Sequence, residues 1–232
     1  MRSFILSVGA AAAVAVSACG ETRDSSEVSI DASVVKTQSS ALASAVTAAQ
    51  SNGGANIAEQ LSDIGNTAAA LIPRTKGASR AQMKGGSSTC SCPTAAQKTC
   101  TFSSCKIGSA TASGTISWAG GKLVCTNLTF DVAAIGQTQV EGQSVRIGAT
   151  HIAVTCDFTY GTGTLDGSLH ATGSTEVNDV AYRWDAALTA SDVTWTSKAF
   201  TAGTVDVGAT VTTVSDAEGT DTFHASGSMT FP

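Results

Sequence analysis

The apolar positions of this chain change period once. Before residue 73 they recur at three- and four-residue spacing, and from Thr99 onward they alternate with polar ones. In the first region Leu42, Ala45, Val46 and Ala49 share one face of an Ala-rich helix, which Asn52-Gly53-Gly54 stops. Ile57, Leu61, Ile64, Ala68 and Leu71 then line a second helical face. Asn56 and Glu59 open that run as a capping box with Asn in place of Ser or Thr, and Pro73 ends it. A stripe of this kind is expected to face a core rather than a partner.

The second region reads as strands. Ile152, Val154, Cys156, Phe158 and Tyr160 fall on one face against Ala153, Thr155, Asp157 and Thr159. Val180, Tyr182, Trp184, Ala186 and Leu188 oppose Arg183, Asp185 and Thr189, and Phe223, Ala225, Met229 and Phe231 oppose Thr222, His224, Ser226 and Thr230. Turn residues punctuate the runs at Gly120-Gly121, Gly161-Thr162-Gly163, Asn178-Asp179 and Glu218-Gly219. One dry and one wet face is the pattern of an antiparallel sheet. The expectation is a mainly β fold of roughly seven to nine strands, as a sandwich, an open barrel or a strongly curved meander. A short Ala-rich helical segment precedes it.

Charge divides the chain the same way. Residues 20–73 carry two basic and six acidic side chains, and Glu21 to Asp31 within them is polar and aperiodic, a tether. Residues 74–106 hold Arg74, Lys76, Arg80, Lys84, Lys98 and Lys106 with no acidic residue, whereas 107–232 hold four basic and twelve acidic ones. Residues 74–98 therefore form a basic, Gly/Ser-rich linker and 99–232 the β-domain. A formal charge of −5 lacks the basic excess that nucleic-acid binding requires.

The first residues give an address. Arg2 precedes an apolar stretch from Ser3 to Val16, too short for a hydrocarbon core that needs about 20 residues. Residues 1–18 thus read as a secretory signal peptide. Val16-Ser17-Ala18-Cys19 resembles the lipobox of bacterial lipoproteins, with Val where Leu is commoner. The resemblance covers the signal region alone. It implies cleavage before Cys19 and acylation of that cysteine, so that residues 19–73 are a lipid-anchored tether and helical segment. A single acyl chain holds a membrane only marginally, at about 10⁴ M⁻¹, and two or more anchor it firmly. Gly20 stands where an Asp would, by the same resemblance, imply inner-membrane retention, so the outer membrane of the cell envelope is the expected address.

Export decides how the other six cysteines are read. Cys90, Cys92, Cys100, Cys105, Cys125 and Cys156 are disulfide candidates, since thiols outside the cytosol are usually oxidised. A four-thiolate zinc site from the first four fits poorly, because structural zinc favours gaps of about two to four residues within each pair. Six cysteines allow fifteen pairings and the pairing stays open. Cys125–Cys156 suits two strand-like runs, but Cys125 alternates with Asn127 and Thr129, out of step with the apolar register of Cys156; a bulge near Asn127 would be needed. Clustered Cys90, Cys92, Cys100 and Cys105 would pin the linker's end to the first strand.

Catalytic chemistry finds no motif. His151, His170 and His224 sit apart in strands among Thr and Ser, with no metal-ligand spacing, no Gly-x-Ser-x-Gly elbow and no phosphate-binding loop. Asp216, Glu218, Gly219 and Asp221 form an acidic turn without the long calcium-loop pattern. Trp118, Trp184 and Trp195 keep step with Ile116, Tyr182 and Val193 as core residues. The expectation is a non-enzymatic, lipid-anchored envelope protein of binding or structural type, without cofactor. Its partners would be the membrane, through the acyl group on Cys19, and an envelope protein. The alternative is a carrier of a hydrophobic ligand held in a curved sheet. Labelled palmitate fed to expressing cells should mark the chain and Cys19→Ser should abolish the label; an unprocessed, unlabelled cytoplasmic product contradicts the address.

Overall fold

Strict alternation over long runs builds a sheet with one dry face, and that sheet organises the molecule. The computed structural model describes residues 27–30, 32–50, 57–58, 61, 89–92, 95–140, 143–196, 199–215 and 219–231. In chain order the elements are β1 (Glu27–Ser29), α1 (Ala32–Gln50), β2 (Thr99–Ile107), β3 (Ala110–Ser117), β4 (Lys122–Val132) and β5 (Gly136–Val140). There follow β6 (Gln143–Ile147), β7 (Thr150–Tyr160), β8 (Thr164–Val177), β9 (Val180–Thr196), β10 (Ala199–Ser215) and β11 (Gly219–Phe231). The fold is mainly antiparallel β: one open, eleven-stranded sheet runs β1-β11-β10-β9-β8-β7-β4-β3-β2, and the β5–β6 hairpin joins it through Ile147 and Val177. Strands outnumber the expected seven to nine, partly because each strand of that hairpin is only five residues long and carries little alternation to read.

The dry face is continuous. Trp118, Leu123, Phe130, Phe158 and Leu165 have no exposed surface, and Leu169, Tyr182, Trp184 and Val207 are buried beside them. The tryptophans expected in the core are all there, with exposures of 0%, 3% and 6% for Trp118, Trp184 and Trp195. Tyr160 ends β7 by donating its hydroxyl to the carbonyl of Trp118 at 2.8 Å, and burial holds its phenol pKa above the usual value.

α1 packs on β10 and β11. The predicted face of Leu42, Ala45, Val46 and Ala49 is buried, joined by Val35 and Ala43. So many serines and threonines suit a helix only because their hydroxyls donate back to the preceding turn: Thr37 to Ser33, Ser39 to Val35, Ser40 to Lys36, Ser44 to Ser40 and Thr47 to Ala43, at 2.8–2.9 Å. Ser39 is buried by this means. Ile57 and Leu61 of the second predicted helical stripe are helical and fully buried in the same core cluster, together with Ala58. Asn56, Glu59, Ile64, Ala68 and Leu71 lie outside the described residues, as does residue 19. No helix among the described residues is long and apolar enough to cross a membrane.

The tether differs from expectation. Its residues Glu27–Ser29 form β1, parallel to β11 in the register Glu27–His224, and Ile30 N–H donates to Ser226 at 2.7 Å. A three-residue strand has no alternation to read, and the vacant edge of β11 organises it. The chain then turns inward, with Ile30 and Val35 packed on Gly227, where a Cβ would overlap the Ile30 side chain.

Two rows of irregularities cross the sheet. Ser104, Gly114 and Asn127, on neighbouring β2, β3 and β4, all have positive φ, and the pairing registers shift beside each. Gly167, Asp192 and Gly203 repeat this on β8, β9 and β10. The extra residue lies on β2, β4, β9 and β10, where such bulges bend and twist the sheet and exchange which parity faces inward. The parity of β3 and β8 is unchanged across Gly114 and Gly167. Gly114 has φ +116°, and a Cβ there would overlap the backbone carbonyl of Asn127; Gly203 stands in the same relation to Asp192. Gly114→Ala should therefore destabilise by about 2–4 kcal/mol. Gly219→Ala, at φ +81° with open space around it, should cost about 1 kcal/mol, and denaturant midpoints of the two variants should separate accordingly.

Candidate functional site

Two sets of chemistry-bearing residues stand out, the cysteines and the polar face of the sheet. Cys90 pairs with Cys105, Cys92 with Cys100 and Cys125 with Cys156, at Cα separations of 5.0, 5.2 and 4.7 Å. The first two pairs fasten residues 89–92 along β2, where the backbone N–H groups of Thr89 and Cys90 donate to the carbonyl of Lys106. The linker's end is thus pinned to the first long strand of the sheet. A tetrathiolate site from these four sulfurs is not formed, because they pair two by two.

Cys125 and Cys156 face each other on adjacent β4 and β7. The parity objection to this pair fails on the bulge at Asn127, whose φ is +49°. Before it, Leu123 and Cys125 point inward; after it, Leu128, Phe130 and Val132 do. The extra residue lets odd and even positions share the dry face. An Asn in a Thr-rich strand was the one local sign, since Asn tolerates the left-handed region better than Thr.

The wet face gathers the histidines. His151 Nδ1 shares a 2.6 Å hydrogen bond with Asp131 Oδ1, across β7 and β4. His170 Nε2 shares one of 2.7 Å with Asp185 Oδ1, across β8 and β9, and His224 Nδ1 one of 2.9 Å with the Thr210 hydroxyl, across β11 and β10. His151 and His170 keep about half of their side-chain surface exposed. Sequence spacing placed the histidines on this face correctly but could not show their carboxylate partners, which strand order alone supplies. Among the described residues no group of three His, Cys, Asp or Glu side chains is arranged to hold a metal ion. Asp216 and Glu218 of the acidic turn lie outside the described residues, and Gly219 and Asp221 fall in the first three residues of β11.

The same face carries a shallow groove of about 410 Å³, open to solvent. Register builds it from two parallel rows. Ser174 lies between His151 and Arg183, with Thr212 beyond Arg183, so one row spans β7 to β10. Thr172, Asp185 and Thr210 form the next row. Gly173, between the two rows, faces the dry side, where the Trp184 indole leaves no room for a Cβ. Arg146 is engaged at the hairpin end by Glu176 and Asp179, whereas Arg183 makes no ion pair with a described residue. The groove thus presents hydroxyls, one carboxylate already bonded to a histidine, and a guanidinium without an ion-pair partner among the described residues.

Comparison with protein-family models, with curated proteins and with solved structures gave no match. The disulfide between β4 and β7 closes a separation of 31 residues. Replacing Cys125 and Cys156 together by Ala should lower stability by about 2–4 kcal/mol, read as a shift in denaturant midpoint with the other two pairs intact on non-reducing peptide mapping.

Proposed function

We propose that this chain is an exported, lipid-anchored envelope protein of binding type, and that its working surface is the wet face of the sheet. Export is supported by the signal-like residues 1–18, by Cys19 and by three cysteine pairs suited to an oxidising compartment. The observation that carries the binding role is the groove in which Arg183 lies between Ser174 and Thr212 without an ion-pair partner among the described residues. A guanidinium forks onto a carboxylate or phosphate, and rows of Ser and Thr hydroxyls suit a ligand rich in hydroxyls. An acidic saccharide combines both.

Oligogalacturonate, with neutral dextran as the control, probes this chemistry. The wild-type chain should bind the acidic oligosaccharide saturably and dextran weakly. Arg183→Ala should weaken the acidic ligand about tenfold, the loss expected of one charge-assisted contact of about 1.4 kcal/mol, with little change in stability because the side chain is exposed. Binding that ignores charge, or survives Arg183→Ala unchanged, rejects the reading.

A second reading, carriage of an apolar ligand on the dry face, has one observation in its favour. The indole N–H groups of Trp184 and Trp195 are buried without a hydrogen-bond partner among the described residues, and such groups normally find an acceptor. An apolar ligand with an ester or acid head would supply one. Against it, α1 already covers β10 and β11. Lipid retained through purification, seen by mass spectrometry, distinguishes the two.

A further inference from the structure

The two edges of the sheet are finished differently. At β2 the strap of residues 89–92 lies along the edge: Thr89 and Cys90 donate to Lys106 O, Lys106 N–H donates to the Thr89 hydroxyl at 3.0 Å, and two disulfides hold the strap there. At the other edge β11 has thirteen residues, and β1 pairs with three of them. β1 leaves the edge where Ile30 turns in over Gly227, so beyond that point Ser228, Met229 and Thr230 have strand partners on the β10 side alone among the described residues. Ser228 and Thr230 are exposed.

Edges of this kind are commonly guarded by Lys, Pro or an inward charge. Gly219–Phe231 contains no Lys, Arg or Pro, and its one acidic residue, Asp221, lies at the other end of the strand. The stretch Gly227-Ser228-Met229-Thr230-Phe231 is uncharged and alternates small or apolar with hydroxyl side chains.

We infer that this half of β11 pairs antiparallel with the same stretch of a second copy of the chain, about a two-fold axis at Met229. Backbone direction supports the register. Ser226 O accepts from Ile30 on the edge side, so by alternation the N–H and C=O groups of Ser228 and Thr230 also point to that edge. With Met229 opposite its own copy, Ser228 of one chain faces Thr230 of the other twice over, and each pair exchanges two backbone hydrogen bonds. Their hydroxyls meet on the wet face, a favoured cross-strand pairing, and the two methionines meet on the dry face. The alternative through Gly219–Phe223 would set Asp221 against itself. Ile30, lying beside Gly227, limits the ladder to Ser228–Thr230. An interface this short buries far less than the roughly 1,000 Å² of a stable complex. The dimer is therefore weak in dilute solution and is favoured where copies are concentrated, as on a membrane.

The symmetry supplies the test. In this register Met229 and its copy form a non-hydrogen-bonded pair with Cα atoms about 4.5 Å apart, within disulfide range of about 4.4–6.8 Å. In a Cys19→Ser background, which removes both a competing thiol and any acyl anchor, Met229→Cys should oxidise to a covalent dimer at least tenfold faster than Phe223→Cys. Phe223 shares the dry face, is 36% exposed and has no symmetry mate in this register. Adding Thr230→Pro, which removes an N–H aimed at the free edge and none aimed at β10, should bring Met229→Cys down to the rate of the control. The far-UV spectrum should not change; if that variant unfolds, Ser228→Pro makes the same comparison. Equal rates for Met229→Cys and Phe223→Cys, or no effect of proline in a folded variant, overturn the pairing. Because the background lacks Cys19, a failed anchor reading leaves this result untouched.

Discussion

The constraint on which the structure depends is that one face of a single sheet stays dry over strands as long as seventeen residues. Strands of that length cannot remain flat, because each twists against its neighbour. The two bulge rows absorb the twist. At each a residue enters the left-handed region, and a neighbouring glycine without a Cβ admits the displaced carbonyl. Inserting one residue also exchanges odd for even, so the sequence must change register at the same point. Cys125 and Leu128 on β4, and Ala190 and Val193 on β9, are both inward across such a step. Backbone geometry and side-chain pattern agree at every bulge, and that agreement makes the core continuous.

Much of this was legible in the sequence. Alternation identified β7, β9 and β11 and gave the dry faces of β7 and β9, while on β11 Ala225, Met229 and Phe231 are half-buried against the core and Phe223 is exposed. Gly120-Gly121, Gly161-Thr162-Gly163 and Asn178-Asp179 fell between strands as expected. The Leu42–Ala49 helical face was right because its residues repeat at helical spacing and pack on β10 and β11. What could not be read depends on partners distant in sequence. β1 exists because β11 offers an edge, nearly two hundred residues away. The parity of Cys125 looked wrong because the bulge at Asn127 resets it, and a single Asn in a Thr-rich strand is too weak a sign to establish a bulge. The histidines could be assigned to the wet face but not to Asp131 and Asp185, since those pairings follow from strand order, which period-two patterning does not encode.

The polar face and the strapped edge divide roles between the two ends of the sheet. Disulfides concentrate at β2, β4 and β7, where the sheet begins, while the groove spans β7 to β10. Cross-links raise the cost of opening the first region. The groove's side chains are held instead by cross-strand hydrogen bonds to exposed partners, which are individually weak. Rigidity thus lies beside the groove, and adaptable contacts lie within it.

The parallel pairing of β1 with β11 has a consequence for assembly. Among the described residues the earliest strand in chain order pairs with the latest one, so neither can finish the sheet while the chain is still emerging. Contacts that span nearly the whole sequence are slow to form. A chain that emerges from its N-terminal end carries Glu27–Ser29 unpaired until β11 has followed, so the outer edge of the sheet closes last.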